Sequence, residues 1–248
     1  MSCCTDARQN HLAMEIKMLG GDSKDGLSRI LSQVVTLIRQ RGYEPGDRIP
    51  SEREFAERLN VGRTQVREAM TMLEAMRYLE KRRGSGVFLC KDKDTTSLEA
   101  LVLFAQLEVP VDPKINQQCV EVRRIIEVQA IRMACARRTE ADLAALDAVL
   151  GLFRDDDDFV KEAAEYDYSF HLTLLKAADN DILVRLVNPF YLMSDNRRQA
   201  FFNSRERCLL SHRQHEAILK AVRERNSDEA ERLLAAHIGR VKDYFQTS

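Results

Sequence analysis

The chain has 248 residues, with 38 Lys+Arg against 39 Asp+Glu and a formal net charge of -1. That balance excludes a histone-like polycation and a disordered acidic chain, and the length fits one large domain or two smaller ones. A hydrophobic content of 44% supports a packed core, while 10 Gly, 5 Pro and only 6% aromatic residues favour helices over sheets.

No apolar run approaches the ~18 residues of a membrane span. The opening residues lack a basic start followed by an apolar stretch, so no signal peptide and no membrane association are expected. The cysteines, Cys3, Cys4, Cys90, Cys119, Cys135 and Cys208, contain no C-x-x-C pair. This argues against a disulfide framework or a thiolate zinc finger, and a reducing cytoplasm is the expected compartment.

In chain order, residues 1–24 read as a loose, polar N-terminal arm. From Leu27, apolar residues recur at helical spacing through Ile30, Leu31, Val34, Val35 and Ile38. Gly42 ends that helix, and Glu44-Pro45-Gly46-Asp47 has turn chemistry. Ser51 and Glu54 form a capping box for a second helix with Phe55, Ala56 and Leu59 inward. After Asn60-Val61-Gly62 a third helix starts near Arg63 or Thr64. Its buried side carries Val66, Ala69, Met70, Leu73 and Met76. Two short extended runs between Tyr78 and Leu89, around a Gly-rich basic turn, read as a β-hairpin. Residues 91–97 form a polar linker. Residues 98–248 then read as all helix, with a first helix at Leu98–Leu107 broken by Pro110–Pro113. Further helices are expected at about 117–137, 139–153, 158–178, 180–204, 207–225 and 227–245. The acidic run Asp155–Asp158 reads as a solvated connection.

Residues 23–91 carry a charge of +5, leaving -6 for the remainder. A basic small domain tied to an acidic helical one suggests that only the first meets a polyanion. Three helices followed by a basic hairpin over 25–90 describe a winged helix-turn-helix, whose third helix enters the major groove of double-stranded DNA. Its start carries Arg63, Thr64, Gln65 and Arg67. An arginine fork suits guanine O6 and N7, and polar residues at a helix N-terminus suit phosphate. Arg53, at the start of the second helix, is placed to clamp the backbone. Lys81, Arg82, Arg83, Gly84 and Gly86 form the wing tip. Arg48 and Arg58 read as surface salt-bridge partners, and Arg67 has Glu68 and Glu74 as alternative partners.

Pro45-Gly46-Asp47-Arg48-Ile49-Pro50-Ser51-Glu52-Arg53-Glu54-Phe55-Ala56 resembles the "PG-x-x-LPSERELA" opening of GntR-family regulators. Val61-Gly62-Arg63-Thr64-Gln65-Val66-Arg67-Glu68-Ala69-Met70 is similar to that family's "VSRTPVREAL", and Gly84-Ser85-Gly86-Val87-Phe88-Leu89 to its "G-x-GTFV" wing. Gly62 stands where Ser or Thr is usual, and Gln65 where Pro is usual. The resemblance implies DNA contacts from Arg53, Arg63, Arg67, Arg83 and Gly84, with Thr64 and Gln65 beside them.

The second domain holds His171, His212, His215 and His237. Asp167 and His171 lie four apart on one helix and so face one point; His215 and His237 fall on two later helices. A carboxylate and imidazoles from facing helices suit a metal site inside a bundle. Spacing alone also leaves the reading of hydrogen-bonded buried histidines open, and it admits His212 in place of His215. The Phe190, Tyr191, Phe201 and Phe202 set reads as core.

Asp167-x-x-Phe170-His171, Ala178-Asp179-Asn180, His215 to Val222, and Ala236-His237 resemble the FadR-type C-terminal (FCD) ligand domain. Glu121-Val122-Arg123-Arg124-Ile125-Ile126-Glu127 resembles that domain's opening "E-x-R-x-x-LE". This resemblance implies a divalent metal on Asp167, His171, His215 and His237: zinc first, with nickel, manganese or iron also suited. It further implies that Arg123 faces the carboxylate of a small organic acid effector. The expectation is a mainly α protein and not an enzyme: a cytoplasmic homodimeric repressor on a near-palindromic operator. The alternatives are a metal-dependent enzyme built on the Asp/His centre, or a DNA-binding protein whose metal is purely structural.

Overall fold

The computed structural model describes residues 22–92, 95–109 and 113–247. The chain divides into two compact units, one up to Pro110 and one from Val111. The expected arm lies outside the described residues except at its end, where Asp22 already begins the first helix. Cys3 and Cys4 also lie outside them.

In the first unit, α1 (Asp22–Gln40), α2 (Glu52–Leu59) and α3 (Arg63–Ala75) close over a core of Ile30, Leu31, Val34, Phe55, Val66 and Leu73. The expected apolar stripes face inward, since side chains three and four apart share a face. Ser51 accepts from the Glu54 N–H at 3.4 Å, and Glu54 Oε2 accepts from the Ser51 N–H at 2.8 Å, so the capping box is formed. Asn60 ends α2 at φ 53, a left-handed conformation that Asn tolerates.

The wing has three strands where two were expected. β1 (Arg48–Ile49) pairs antiparallel with β3 (Gly86–Leu89), which pairs with β2 (Leu79–Arg82), in the order β1-β3-β2. Two residues are too short to show a period, which hid β1 in the sequence. Gly84 turns the hairpin at φ +73. Gly86 needs to be glycine because its φ is +116, and the Arg48 side chain uses the space left by the missing Cβ, with Nε 2.9 Å from where one would stand. Arg48 is therefore packed along the wing.

The helix α4 (Leu98–Gln106) belongs to this first unit, whereas the expected boundary put it in the second. Ser97 caps it, and the Ser97 N–H donates to the Met76 carbonyl at 3.0 Å. Its Phe104 meets Tyr78 edge-on at 4.9 Å and lies under Arg39. The polar run before it is thus a connection within the unit.

The second unit is helical throughout its described residues: α5 (Pro113–Arg137), α6 (Glu140–Leu150), α7 (Ala163–Lys176), α8 (Asp181–Met193), α9 (Asp195–Phe201), α10 (Arg205–Arg223) and α11 (Ser227–Thr247). A short 3-10 turn, Phe159–Lys161, precedes α7, and the acidic run before it is partly used: Asp156 accepts from the Phe159 N–H at 2.7 Å. The expected 180–204 helix is two helices. α8 carries Pro189, which lacks an N–H, and ends at Met193; Ser194, at φ -103 and ψ 7, leaves the helix and its Oγ donates to the Phe190 and Tyr191 carbonyls. Asn180 caps α8 by accepting from the Ile182 N–H at 3.1 Å.

The main core gathers Ile131, Phe170, Leu174, Val187, Ile218 and Leu234 from five helices. A smaller core of Phe159, Tyr166, Phe201 and Phe202 lies beside it. Arg225 donates to the Cys135 and Ala136 carbonyls and so satisfies the end of α5. Among the described residues, no helix is long and apolar enough to cross a membrane.

Candidate functional sites: a basic helix and wing, and a buried Asp-His centre

In the first unit, the side chains of Arg53, Arg63 and Arg67 are 74%, 61% and 55% exposed. Thr64, Gln65, Arg83 and Gly84 are exposed as well. Val66, Ala69 and Met70 are buried beneath the start of α3, so the polar residues are held on a packed frame. Arg63 and Arg67 stand one turn apart on one face. Gln65 Oε1 accepts from the Gly62 N–H at 3.2 Å and so reaches back over the start of the helix.

Sequence reasoning missed Glu52 as the organiser of this face. Its carboxylate is only 13% exposed. It takes Arg67 Nε at 3.0 Å, Lys81 Nζ at 3.3 Å and, more loosely, Arg63 Nε at 3.9 Å. Burial raises the Glu52 pKa, but the hydrogen bonds from Arg67 and Lys81 outweigh this, and the net shift is downward. Arg67 pairs with Glu52 rather than with Glu68 or Glu74. One carboxylate thus ties recognition helix to wing, a contact fifteen and twenty-nine residues distant in sequence that no local pattern shows. Arg82 is committed to the wing itself: it pairs with Glu80 at 2.9 Å and lies over the Phe88 ring at 4.2 Å.

In the second unit, Asp167, His171, His215 and His237 are all buried, and one ligand atom from each lies within 4.8 Å of every other. Helix α7 supplies Asp167 and His171 one turn apart, α10 supplies His215 and α11 supplies His237. Asp167 Oδ1 is 3.7, 3.4 and 3.5 Å from Nε2 of His171, His215 and His237. His237 Nε2 is 3.1 Å from His171 Nε2 and 3.2 Å from His215 Nε2. Donors held about 2.0–2.2 Å from one ion lie roughly 3.0–3.5 Å apart, so the donor set fits a divalent cation.

The rings are aimed from behind. Glu127 Oε2 takes His171 Nδ1 at 2.7 Å, and Gln214 Oε1 takes His237 Nδ1 at 2.9 Å. A proton held on Nδ1 leaves the Nε2 lone pair facing the centre. His215 is positioned by stacking on Phe170, with ring centroids 4.0 Å apart. Glu127 also receives Arg123 Nε and, at 2.9 Å, the Tyr191 hydroxyl. The Arg123 guanidinium lies 3.9 Å over the Tyr191 ring.

Burial pushes His215 down to about 3 and His237 down to about 4, so both rings are neutral. Burial also disfavours a charged His171, but Glu127 and Asp167 on either side outweigh it and raise its pKa. Burial opposes ionisation of Asp167 and Glu127 too. His171 nevertheless helps to hold Asp167 well below the carboxylate range, and Arg123 with His171 holds Glu127 at about 2.

His212 is not part of the cluster. Its Nδ1 meets the Tyr166 hydroxyl at 2.7 Å, and its ring stacks on Phe153 at 3.9 Å. Glu127 and Gln214 were missed as supports for the histidines. The one available signal was that Glu127 stands four residues after Arg123, on the same face of α5.

The model of the gntR family of bacterial regulatory proteins matches residues 28–89, and that of the FCD domain matches 118–240. The HTH-type transcriptional regulator LutR of Bacillus subtilis is 31% identical over 222 residues, covering 85% of this chain and 98% of LutR. The galactonate operon transcriptional repressor of Escherichia coli is 27% identical over 221 residues, covering 85% of this chain and 95% of the repressor. A solved structure of Lar, which controls expression of the Listeria monocytogenes agr system, has the same fold. Its TM-score is 0.59 at 18% identity, covering 86% of this chain and 94% of that one. With a winged helix-turn-helix followed by an FCD domain, the chain belongs to the GntR family of transcriptional regulators, in its FadR-like subfamily, and is a DNA-binding regulator rather than an enzyme.

Proposed function

We propose that this regulator is a cytoplasmic homodimeric repressor whose hold on a near-palindromic operator is altered by a small organic acid bound at a divalent metal in the FCD domain. The observation that carries the reading is the convergence of Asp167, His171, His215 and His237, with two of the rings aimed by Glu127 and Gln214.

On the DNA side, α3 enters the major groove. Arg63 and Arg67 reach base edges, and Thr64 and Gln65 sit at the helix start beside the phosphates. Arg53 clamps the backbone, and Arg83 and Gly84 bring the wing tip to a neighbouring groove. Two protomers present two such helices to two half-sites. The exposure of these side chains on a packed frame supports that assignment.

On the effector side, Asp167 and the three histidines would hold the metal, zinc first, with nickel, manganese or iron suited by the same donors. When bound, the ion supplies a Lewis-acidic point for a carboxylate or hydroxyl oxygen. Arg123 spends Nε on Glu127 and offers the outer end of its fork to the effector carboxylate. An acid that binds one arrangement of the protein better than the other shifts operator affinity, and operator DNA shifts acid affinity by the same factor.

The test is metal content and acid binding in wild type and His171→Ala. The variant should retain no metal and show no acid-dependent rise in melting temperature. Unchanged metal content in His171→Ala contradicts the assignment.

A further inference from the structure

The acid-effector reading leaves several buried polar groups without use. Arg240, one turn after His237 on α11, has Nε, Nη1 and Nη2 all buried with no hydrogen-bond partner among the described residues. Arg197 Nη2 on α9 and Ser211 Oγ on α10, one turn before His215, are buried and unpartnered as well.

These groups share a neighbourhood. The Arg240 guanidinium lies over the Phe201 ring at 5.3 Å. Phe201 stands one turn after Arg197 on α9, on the same face. Arg197 in turn feels the charge of Arg123, and Arg240 that of Asp167. Arg198 differs: its Nη2 meets Asp195 at 2.8 Å and its Nη1 the Ala164 carbonyl at 3.3 Å, leaving only Nε without a partner.

A buried guanidinium without a partner is costly, and evolution seldom leaves three nitrogens of one side chain so. The charge balance points the same way. Asp167 and Glu127 both act on Arg123, and Asp167 acts on Arg240, while Arg197 meets a further positive charge in Arg123; a divalent ion would add two more positive charges. One carboxylate on Arg123 and the ion would leave Arg240 and Arg197 as they are.

We propose that Arg240 and Arg197 form a second anion subsite beside the Asp/His centre, and that the effector is accordingly a small dicarboxylic acid. One carboxylate goes to the metal and Arg123; the other fills the Arg240 fork. Ser211, one turn before His215 on α10, leaves its buried Oγ free for a hydroxyl or oxo group of such an acid. This rests on the acid-effector reading above and narrows it.

Matched pairs of acids test it by calorimetry on the full-length, metal-loaded protein. Malate is lactate with one added carboxylate, and glucarate is gluconate with its terminal CH2OH oxidised to a second carboxylate. At least one dicarboxylate should bind about tenfold or more tightly than its partner. In Arg240→Met, which keeps the apolar stem over Phe201, that preference should fall to about twofold. The monocarboxylate and the metal should bind as in wild type. Arg197→Met gives the same comparison should Arg240→Met not fold, with a smaller loss. Monocarboxylates binding as tightly as dicarboxylates in wild type would overturn the second subsite while leaving an acid effector standing. A preference that survives Arg240→Met would overturn it too. Absence of binding by every acid in both pairs would overturn the acid-effector reading, and this inference with it.

Discussion

The two units use arginine in opposite ways. In the first, Arg53, Arg63 and Arg67 stand in solvent, Arg53 beside the exposed Glu57 and the other two over the mostly covered Glu52. In the second, Arg123, Arg198 and Arg240 are drawn inward against aromatic rings, Arg123 also against the buried Glu127. An exposed arginine contributes little to folding, since exposed pairs are worth about 0–1 kcal/mol, and is free to be matched to a polyanion. A buried one has lost its water and calls for a partner, whether a neighbour on its own helix, as for Arg123 and Arg198, or a ligand, as inferred for Arg240. The same side chain is a surface probe in one unit and part of a buried polar network in the other.

The comparison can be broken most severely at the buried centre. Asp167→Ala should abolish metal binding and leave the facing Nε2 atoms of His171, His215 and His237 without the carboxylate they share, lowering the melting temperature of the protein. Metal analysis and thermal unfolding check both. A variant that keeps its metal would contradict the assignment of Asp167.

Next come the exposed arginines. Arg63→Ala and Arg67→Ala should each weaken operator binding by ~1–3 kcal/mol, roughly 5–150-fold, with the melting temperature within a degree of wild type. Fluorescence anisotropy and thermal unfolding measured together separate the two effects. An equal loss on operator and random DNA would reassign these residues to phosphate.

Glu127→Gln acts one step behind the metal ligands. Losing the carboxylate that aims His171 should weaken metal affinity by about 10–100-fold. The acid dependence of the same site follows from His171. Its raised pKa means the ring starts to take a proton above the ordinary histidine value, and metal binding requires the neutral ring. Affinity should therefore hold at high pH and fall as pH drops through that raised pKa, by about tenfold per unit for one displaced proton. A competition titration across pH reads this; metal loss beginning only near pH 4, where His237 titrates, would contradict the role given to Glu127.

The smallest effect is expected at Ser51. Ser51→Ala removes the cap of α2 and should cost about 1 kcal/mol of stability, with operator affinity following only as far as the frame loosens.

How much of this was legible in the sequence follows the same division. The winged helix could be read because its determinants are local: apolar spacing in α1 and α3, a capping box over four residues, glycines at the hairpin. Even there, Glu52 escaped notice, because its three cationic neighbours come together only when α2, α3 and β2 are packed. In the second unit the four clustered residues could be named from motif resemblance, since Asp167 and His171 share a turn. Glu127 and Gln214 could not be given roles, because each meets its histidine across the bundle. The break at Ser194 was hidden by an apolar pattern that continues through Pro189, and α4 was assigned to the wrong unit because an amphipathic stripe does not say which surface it will cover. What the sequence leaves unread in both units is pairing between charges distant in the chain, which depends on burial and not on spacing.

An acid bound at the Asp/His centre should alter the hold on DNA. The most direct test is operator binding by the metal-loaded protein, with and without an acid that raises its melting temperature, beside the chelated protein and Asp167→Ala. Operator affinity should change by about 5–150-fold, and only when the metal is bound. An equal change in the chelated protein and in Asp167→Ala, or none in the loaded one, would contradict it.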